Sequence, residues 1–272
     1  MGPGCAQRDL ANLVTQGAAA GLTVPIVAAP LGATSLPADR RLPYLCAVED
    51  VDERLAAVKL VVATWSAASP LGVTSFTLDL GAVRLHAASV AVAYRFARRE
   101  LDEDEPGEKL WADTLAERRG RSPGIIDACR DALDRLLPQA EHAGLQLAME
   151  VTGPWGAPTP REAAMLLDEY RGAPLFVVWD EARAQTLAAV GIAPGAERRA
   201  RLIESTRVLR CAEAVGIESG FSPGLGDPDG TGDWSATPPP VVIVGGRPDT
   251  TVKEVARARA LVEARPARSS RG

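Results

Sequence analysis

Apolar residues fall in two alternating patterns along the chain. Short runs such as Ser75-Phe76-Thr77-Leu78-Asp79-Leu80, closed by Gly81, read as strands. Longer stretches repeat their apolar positions at helical spacing. In 51–68, Leu55, Val58, Val61, Val62 and Trp65 recur this way. The clearest helix is 124–143. There Ile125, Ile126, Cys129, Leu133, Leu136, Leu137 and Ala140 line one face, opposite Asp127, Arg130, Asp131, Asp134 and Arg135. Pro138 is expected to kink or end it, and Gly144 to stop it. Further helices are expected at 7–21, 160–171, 182–190 and 251–264. The second of these opens with Thr159-Pro160, an N-cap followed by a first-turn proline. Further strands are expected at 23–28, 82–86, 145–151, 175–179, 207–211, near 214–217 and at 241–244. The stretch 98–121 mixes both charge signs and reads as solvated helix surface broken at Pro106-Gly107.

Strand and helix alternate throughout, which implies a parallel sheet and an α/β fold. No G-x-G-x-x-G follows the first strand, so a dinucleotide-binding fold loses its main support. The expected architecture is a (β/α)8 TIM-type barrel formed by 1–265 as a single domain, with 266–272 as a flexible C-terminal tail. Only a helix precedes the strand at 23–28, so the barrel is expected to be incomplete at its N-terminus. An open edge there suits a second copy of the chain, giving a homodimer, or a partner protein.

Composition narrows the function classes. Apolar residues make up 46% of the 272 positions and aromatics only 4%, so Ala, Val and Leu must build the core. A net charge of -5 argues against nucleic acid, which needs a basic footprint. No apolar run reaches the roughly 20 residues of a membrane span, and no signal peptide is evident, so a cytoplasmic location is expected. Cys5, Cys46, Cys129 and Cys211 are too widely spaced for structural zinc.

Ligands of parallel α/β folds meet the C-terminal ends of the strands. Two carboxylates stand there: Glu150 after Leu145-Gln146-Leu147-Ala148-Met149, and Asp180 after Leu175-Phe176-Val177-Val178-Trp179. A buried carboxylate needs a cation, a donor or a shifted pKa. Asp180 also immediately precedes a helix, where a carboxylate serves as a cap.

The run from Ala140 to Glu150, ending Gly144-Leu145-Gln146-Leu147-Ala148-Met149-Glu150, resembles a helix and strand of the xylose-isomerase-like TIM barrels. That superfamily includes sugar-phosphate isomerases and epimerases. Leu175 to Asp180 resembles the next strand, and Pro223-Gly224-Leu225-Gly226-Asp227-Pro228-Asp229 is similar to a loop of the same group. The resemblance implies a divalent metal, Mn²⁺ or Mg²⁺, held by Glu150 and Asp180, with Glu150 also catalytic and a small-molecule substrate with a hydroxy-carbonyl group. His86 is a second catalytic candidate. Arg210, Arg247 and Trp179 are candidates for binding substrate.

Several positions depart from the pattern. Glu181-Ala182-Arg183 follows Asp180 where the family has a histidine. Val208 to Glu213 contains no histidine ligand. Gly245-Gly246-Arg247 stands where the last strand should end in a metal-binding glutamate. Two readings therefore stay open. One is a divergent isomerase or epimerase; the other is a catalytically degenerate barrel that binds or scaffolds, with no metal. The acidic run Asp227 to Asp233 reads as a plain turn or as a Ca²⁺ loop that lacks its closing glutamate.

Overall fold

The computed structural model describes residues 26–29, 47–86, 105–151, 156–189, 191–192, 194–211, 213–215, 218–221 and 241–244, with scattered positions in 11–19, 88–95 and 253–260. The chain divides into two compact units. One comprises 1–82, 123–150 and 166–176; the other comprises 83–122, 151–165 and 177–272. In both units neighbouring strands of the main sheet are parallel and follow chain order.

The first unit contains β1 (Ile26–Ala29), α1 (Val51–Ala68), β2 (Ser75–Leu78), β3 (Gly81–Ala82) and β4 (Gln146–Glu150). Asp50 opens α1, its side chain accepting from the Glu53 N–H at 2.9 Å. The inward face of α1 is Ala57, Val58, Val61, Trp65 and Ala68. Leu55 and Val62, expected inside, are only half-buried, because the helix turns Arg54 inward to meet Asp131 at 2.7 Å. Trp65 lies against Phe76, ring centroids 6.0 Å apart. Phe76 and Leu78 therefore point to the helix layer, and Ser75 and Thr77 to the opposite face of the strand.

Helix α2 runs unbroken from Glu105 to His142. This corrects the expected break at Pro106-Gly107, which falls in the first turn, where a missing N–H costs nothing. Pro123 and Pro138 also lie inside the helix. The seven residues of the expected apolar stripe are all buried. The helix ends at Gly144, whose φ of +66° admits glycine readily, while Leu145 N–H bonds back to the Ala140 carbonyl at 2.8 Å.

The remaining elements are β5 (Gly156–Ala157), α3 (Pro160–Glu169), β6 (Leu175–Asp180), α4 (Glu181–Ala189), α5 (Ala196–Glu204), β7 (Thr206–Cys211), β8 (Glu213–Val215), β9 (Glu218–Phe221) and β10 (Val241–Val244). In the second unit β6, β7 and β10 are parallel neighbours, and α4 packs on β7, β8 and β9. The strand expected near 214–217 is not a strand of the main sheet. It is half of an antiparallel hairpin, β8 with β9. Only Gly216 and Ile217 separate these strands, a spacing that permits antiparallel pairing and no parallel crossover. Residues 1–6, the tail 266–272 and most of the helix expected at 251–264 lie outside the described residues.

Candidate functional site

In the first unit β2 and β4 run level, with Thr77 beside Ala148 and Leu78 beside Met149. Side chains alternate across a strand, so Glu150 takes the Ala148 face, away from the helices. It stands half-buried at the C-terminal end of β4. The residue following Leu78 is Asp79, also half-buried. Continuing the register by one step sets Asp79 level with Glu150. Sequence reasoning treated Asp79 only as the tail of a strand. Its signal was the isolated carboxylate between two leucines, which becomes meaningful once β2 and β4 are known to be neighbours. On the same face, Thr77 Oγ1 is buried and has no hydrogen-bond partner among the described residues.

In the second unit Asp180 ends β6 and caps α4. Its Oδ1 accepts the Arg183 backbone N–H at 3.0 Å, and its Oδ2 lies 3.7 Å from Arg183 Nε. The carboxylate is 14% exposed. The pairing of β6 with β7 slips at one point. Val177 is level with Thr206, but Val178 is level with Val208, which leaves Arg207 as an extra residue. Beyond the slip Asp180 is level with Arg210 and Trp179 with Leu209. Arg210 and Asp180 thus share a face at the strand ends. Trp179, expected to contact substrate beside Asp180, instead turns to the opposite face and is 3% exposed. Strand alternation separates the two neighbours.

His86 follows β3 and is exposed, with 75% of its side chain accessible. Arg121 donates to its Nε2 at 2.9 Å. Arginine has only donors, so Nε2 is the acceptor in this contact. Its backbone N–H donates to Glu117 Oε1 at 3.0 Å, and Ser89 Oγ donates to Glu117 Oε2. The Ser89 hydroxyl, then the His86 N–H, hold the Glu117 carboxyl below the usual carboxylate range. Any role for His86 as a base requires Arg121 to release Nε2.

The same unit holds a buried charge pair that the sequence pattern did not reveal. Arg118, in the stretch expected to be solvated, is buried and meets both oxygens of Glu162 at 3.3 Å. It also donates to the Gly156 carbonyl at 2.8 Å. Ser122 Oγ donates to Glu162 Oε1. Glu162 accepts the Thr159 N–H at 2.7 Å, and Thr159 Oγ1 accepts the Glu162 N–H, closing a capping box on α3. Burial opposes ionisation of Glu162, yet Arg118 and Ser122 hold its carboxyl below the ordinary value. These residues shape the β5–α3 connection.

A divalent ion of the kind the sequence resemblance implies needs several convergent oxygen or nitrogen donors. Among the described residues, no group of three or more His, Cys, Asp or Glu side chains can hold one. Asp180 is committed to a helix cap and to Arg183, and its cross-strand neighbour is a guanidinium rather than a histidine. The residues around Asp180 do not fit a metal. Arg247 and the acidic loop 223–233 lie outside the described residues, as do the side chains of Cys211 and Glu213. Cys129 is a buried free thiol, and His142 is exposed. No described helix is long and apolar enough to cross a membrane.

No protein-family model matches the sequence, and no curated protein matches it. Solved structures do match. A D-tagatose 3-epimerase-like protein superposes with a TM-score of 0.63 at 12% identity, over 94% of this chain and 81% of the other. The 3-keto-D-glucoside 4-epimerase from E. coli gives 0.60 at 11% identity, over 95% and 86%. A D-psicose 3-epimerase solved in the presence of D-fructose gives 0.57 at 12% identity, over 95% and 83%. A parallel sheet with strands in chain order, alternating with helices and matched across nearly the whole chain, is the fold of the xylose-isomerase-like TIM barrels, and this chain has that fold.

Proposed function

We propose that this protein is an isomerase or epimerase of a small hydroxy-carbonyl compound, with sugars as the substrate class. The observation that carries the reading is Glu150, a half-buried carboxylate at the C-terminal end of β4, one residue past the paired Leu78 and Met149, as Asp79 is on β2. The likeness of fold to three sugar epimerases or epimerase-like proteins supports the substrate class.

Glu150 acts as the base. Its carboxylate takes the proton from the carbon beside the carbonyl. The C–H electron pair becomes the C=C bond of an enediolate, and the carbonyl electrons move to oxygen. Return of a proton to the other face of the same carbon gives the epimer; return to the former carbonyl carbon gives the isomer. No oxidant is consumed. A positioned base of this kind contributes about 10²–10⁴ in rate.

The test is deuterium wash-in from D₂O into a panel of ketoses and aldoses, followed by NMR. Exchange at the carbon beside the carbonyl, lowered at least about 100-fold in Glu150→Gln, supports the reading. A second reading, a sugar-binding barrel without turnover, is favoured by the commitment of Asp180 to a cap and to Arg183. Saturation-transfer binding of a sugar with no exchange decides for that second reading.

A further inference from the structure

We infer that the C-terminal end of β6 and β7 is an oxyanion-binding subsite centred on the Arg210 guanidinium, which supplies the positive charge there in place of a metal ion. This goes beyond the isomerase reading and stands on the second unit alone.

The β-bulge sets the geometry. Were β6 and β7 paired without the extra residue, the match of Val177 to Thr206 would bring Asp180 level with Leu209. Arg210 would then lie on the Trp179 face. The extra residue, Arg207, shifts β7 by one position and reverses the facing of everything beyond it. Arg210 is thereby carried to the Asp180 face, at the strand ends where parallel α/β folds meet their ligands. Bulges beside functional sites commonly re-aim a side chain in this way.

Charge supplies the ligand chemistry. Asp180 is held by the α4 N-terminus and by Arg183, so its negative charge is already compensated. Arg210 adds a second guanidinium beside it, half-buried and level with Ile243 on its other flank. A guanidinium carries five donors in a planar fork, so a protein partner on one edge leaves another edge for a ligand. That fork suits the paired oxygens of a carboxylate or phosphate. The shared ligand chemistry is an oxyanion group on a small molecule.

The experiment is calorimetric titration of the intact protein with inorganic phosphate, with glycolate and with Mn²⁺. Phosphate or glycolate should bind, and Arg210→Gln should weaken that binding tenfold or more. Tighter phosphate identifies a phosphoester as the group recognised; tighter glycolate identifies a carboxylate. Should Arg210→Gln fail to fold by circular dichroism, Arg210→Lys replaces it. Lysine keeps the charge but loses the fork, so a several-fold loss is expected. Absence of binding by either anion overturns the inference, as does unchanged anion affinity in the folded Arg210 variant. Stoichiometric Mn²⁺ binding by the wild type that disappears in Asp180→Asn overturns it too. Because the readout is binding rather than turnover, failure here leaves the Glu150 exchange experiment standing, and the reverse also holds.

Discussion

Glu162 shows how one residue can serve stability through two kinds of contact. It completes a capping box with Thr159 and neutralises buried Arg118. Removing the carboxylate strands a guanidinium whose side chain is 6% exposed. Glu162→Gln should therefore lose about 3 kcal/mol in urea unfolding at pH 7. The folded pKa lies below the ordinary value of 4.5. A depressed carboxyl contributes its stability above the unfolded value and loses it as pH falls through the folded one. The gap between wild type and Glu162→Gln should thus be full at pH 7 and shrink once pH drops below 4.5; a gap that widens in acid contradicts the pairing. Asp180 permits a second residue-level test. Asn accepts the same N–H, so Asp180→Asn should cost a few tenths of a kcal/mol, and Asp180→Ala about 1 kcal/mol. Of these residues, the Thr159 cap was legible from Thr159-Pro160, since capping is local. The partnership of Arg118 with Glu162 joins residues 44 apart, and no local pattern encodes it.

Among elements, α2 departs most from what its sequence suggests. Its central stripe was readable because helical spacing places Cys129, Leu133, Leu136 and Ala140 on one face. Its continuity was not, because Pro123 and Pro138 each signal an end locally and yet both lie inside the helix. Gly120 and Gly124 sit in this helix, and a Cβ at either would meet nothing within 4 Å. Gly120→Ala and Gly124→Ala should each stabilise by about 0.5–1 kcal/mol, measured as an upward shift in the thermal midpoint. Gly144→Ala should go the other way, by about 1 kcal/mol. Space is open there too, but φ is +66° and alanine resists that conformation. A contrast of sign among three glycines with equally open surroundings separates backbone strain from packing. The bulge in β7 belongs to this scale as well. A single extra residue decides whether Arg210 or its neighbours face Asp180, and a run such as Thr206 to Cys211 carries no mark of it.

At the scale of the molecule, the chain shares its fold with solved structures of sugar epimerases and an epimerase-like protein at 11–12% identity, while the residues around Asp180 do not fit a metal. Fold and chemistry are separable because core positions need only apolar volume, whereas a metal needs particular donors at particular distances. If the protein is the isomerase proposed, wash-in of deuterium should persist in excess chelator and fall in Glu150→Gln. Loss of exchange with EDTA and recovery with Mn²⁺ is the result that contradicts a metal-independent reaction.

The alternation of strands with helices, the parallel sheet, the caps at Thr159 and Asp180 and the two carboxylates Glu150 and Asp180 at strand ends followed from the sequence. Each depends on periodicity or on contacts a few residues long. Which groups meet was decided by tertiary structure alone. Asp79 and Glu150 each follow the paired Leu78 and Met149 through the pairing of β2 with β4. Arg210 comes level with Asp180 through a bulge. Trp179 turns away from its own neighbour, and Arg118 goes inward to Glu162. Strand register and long-range burial settle these placements, since a shift of one residue reverses every side chain beyond it and a local pattern does not specify that shift.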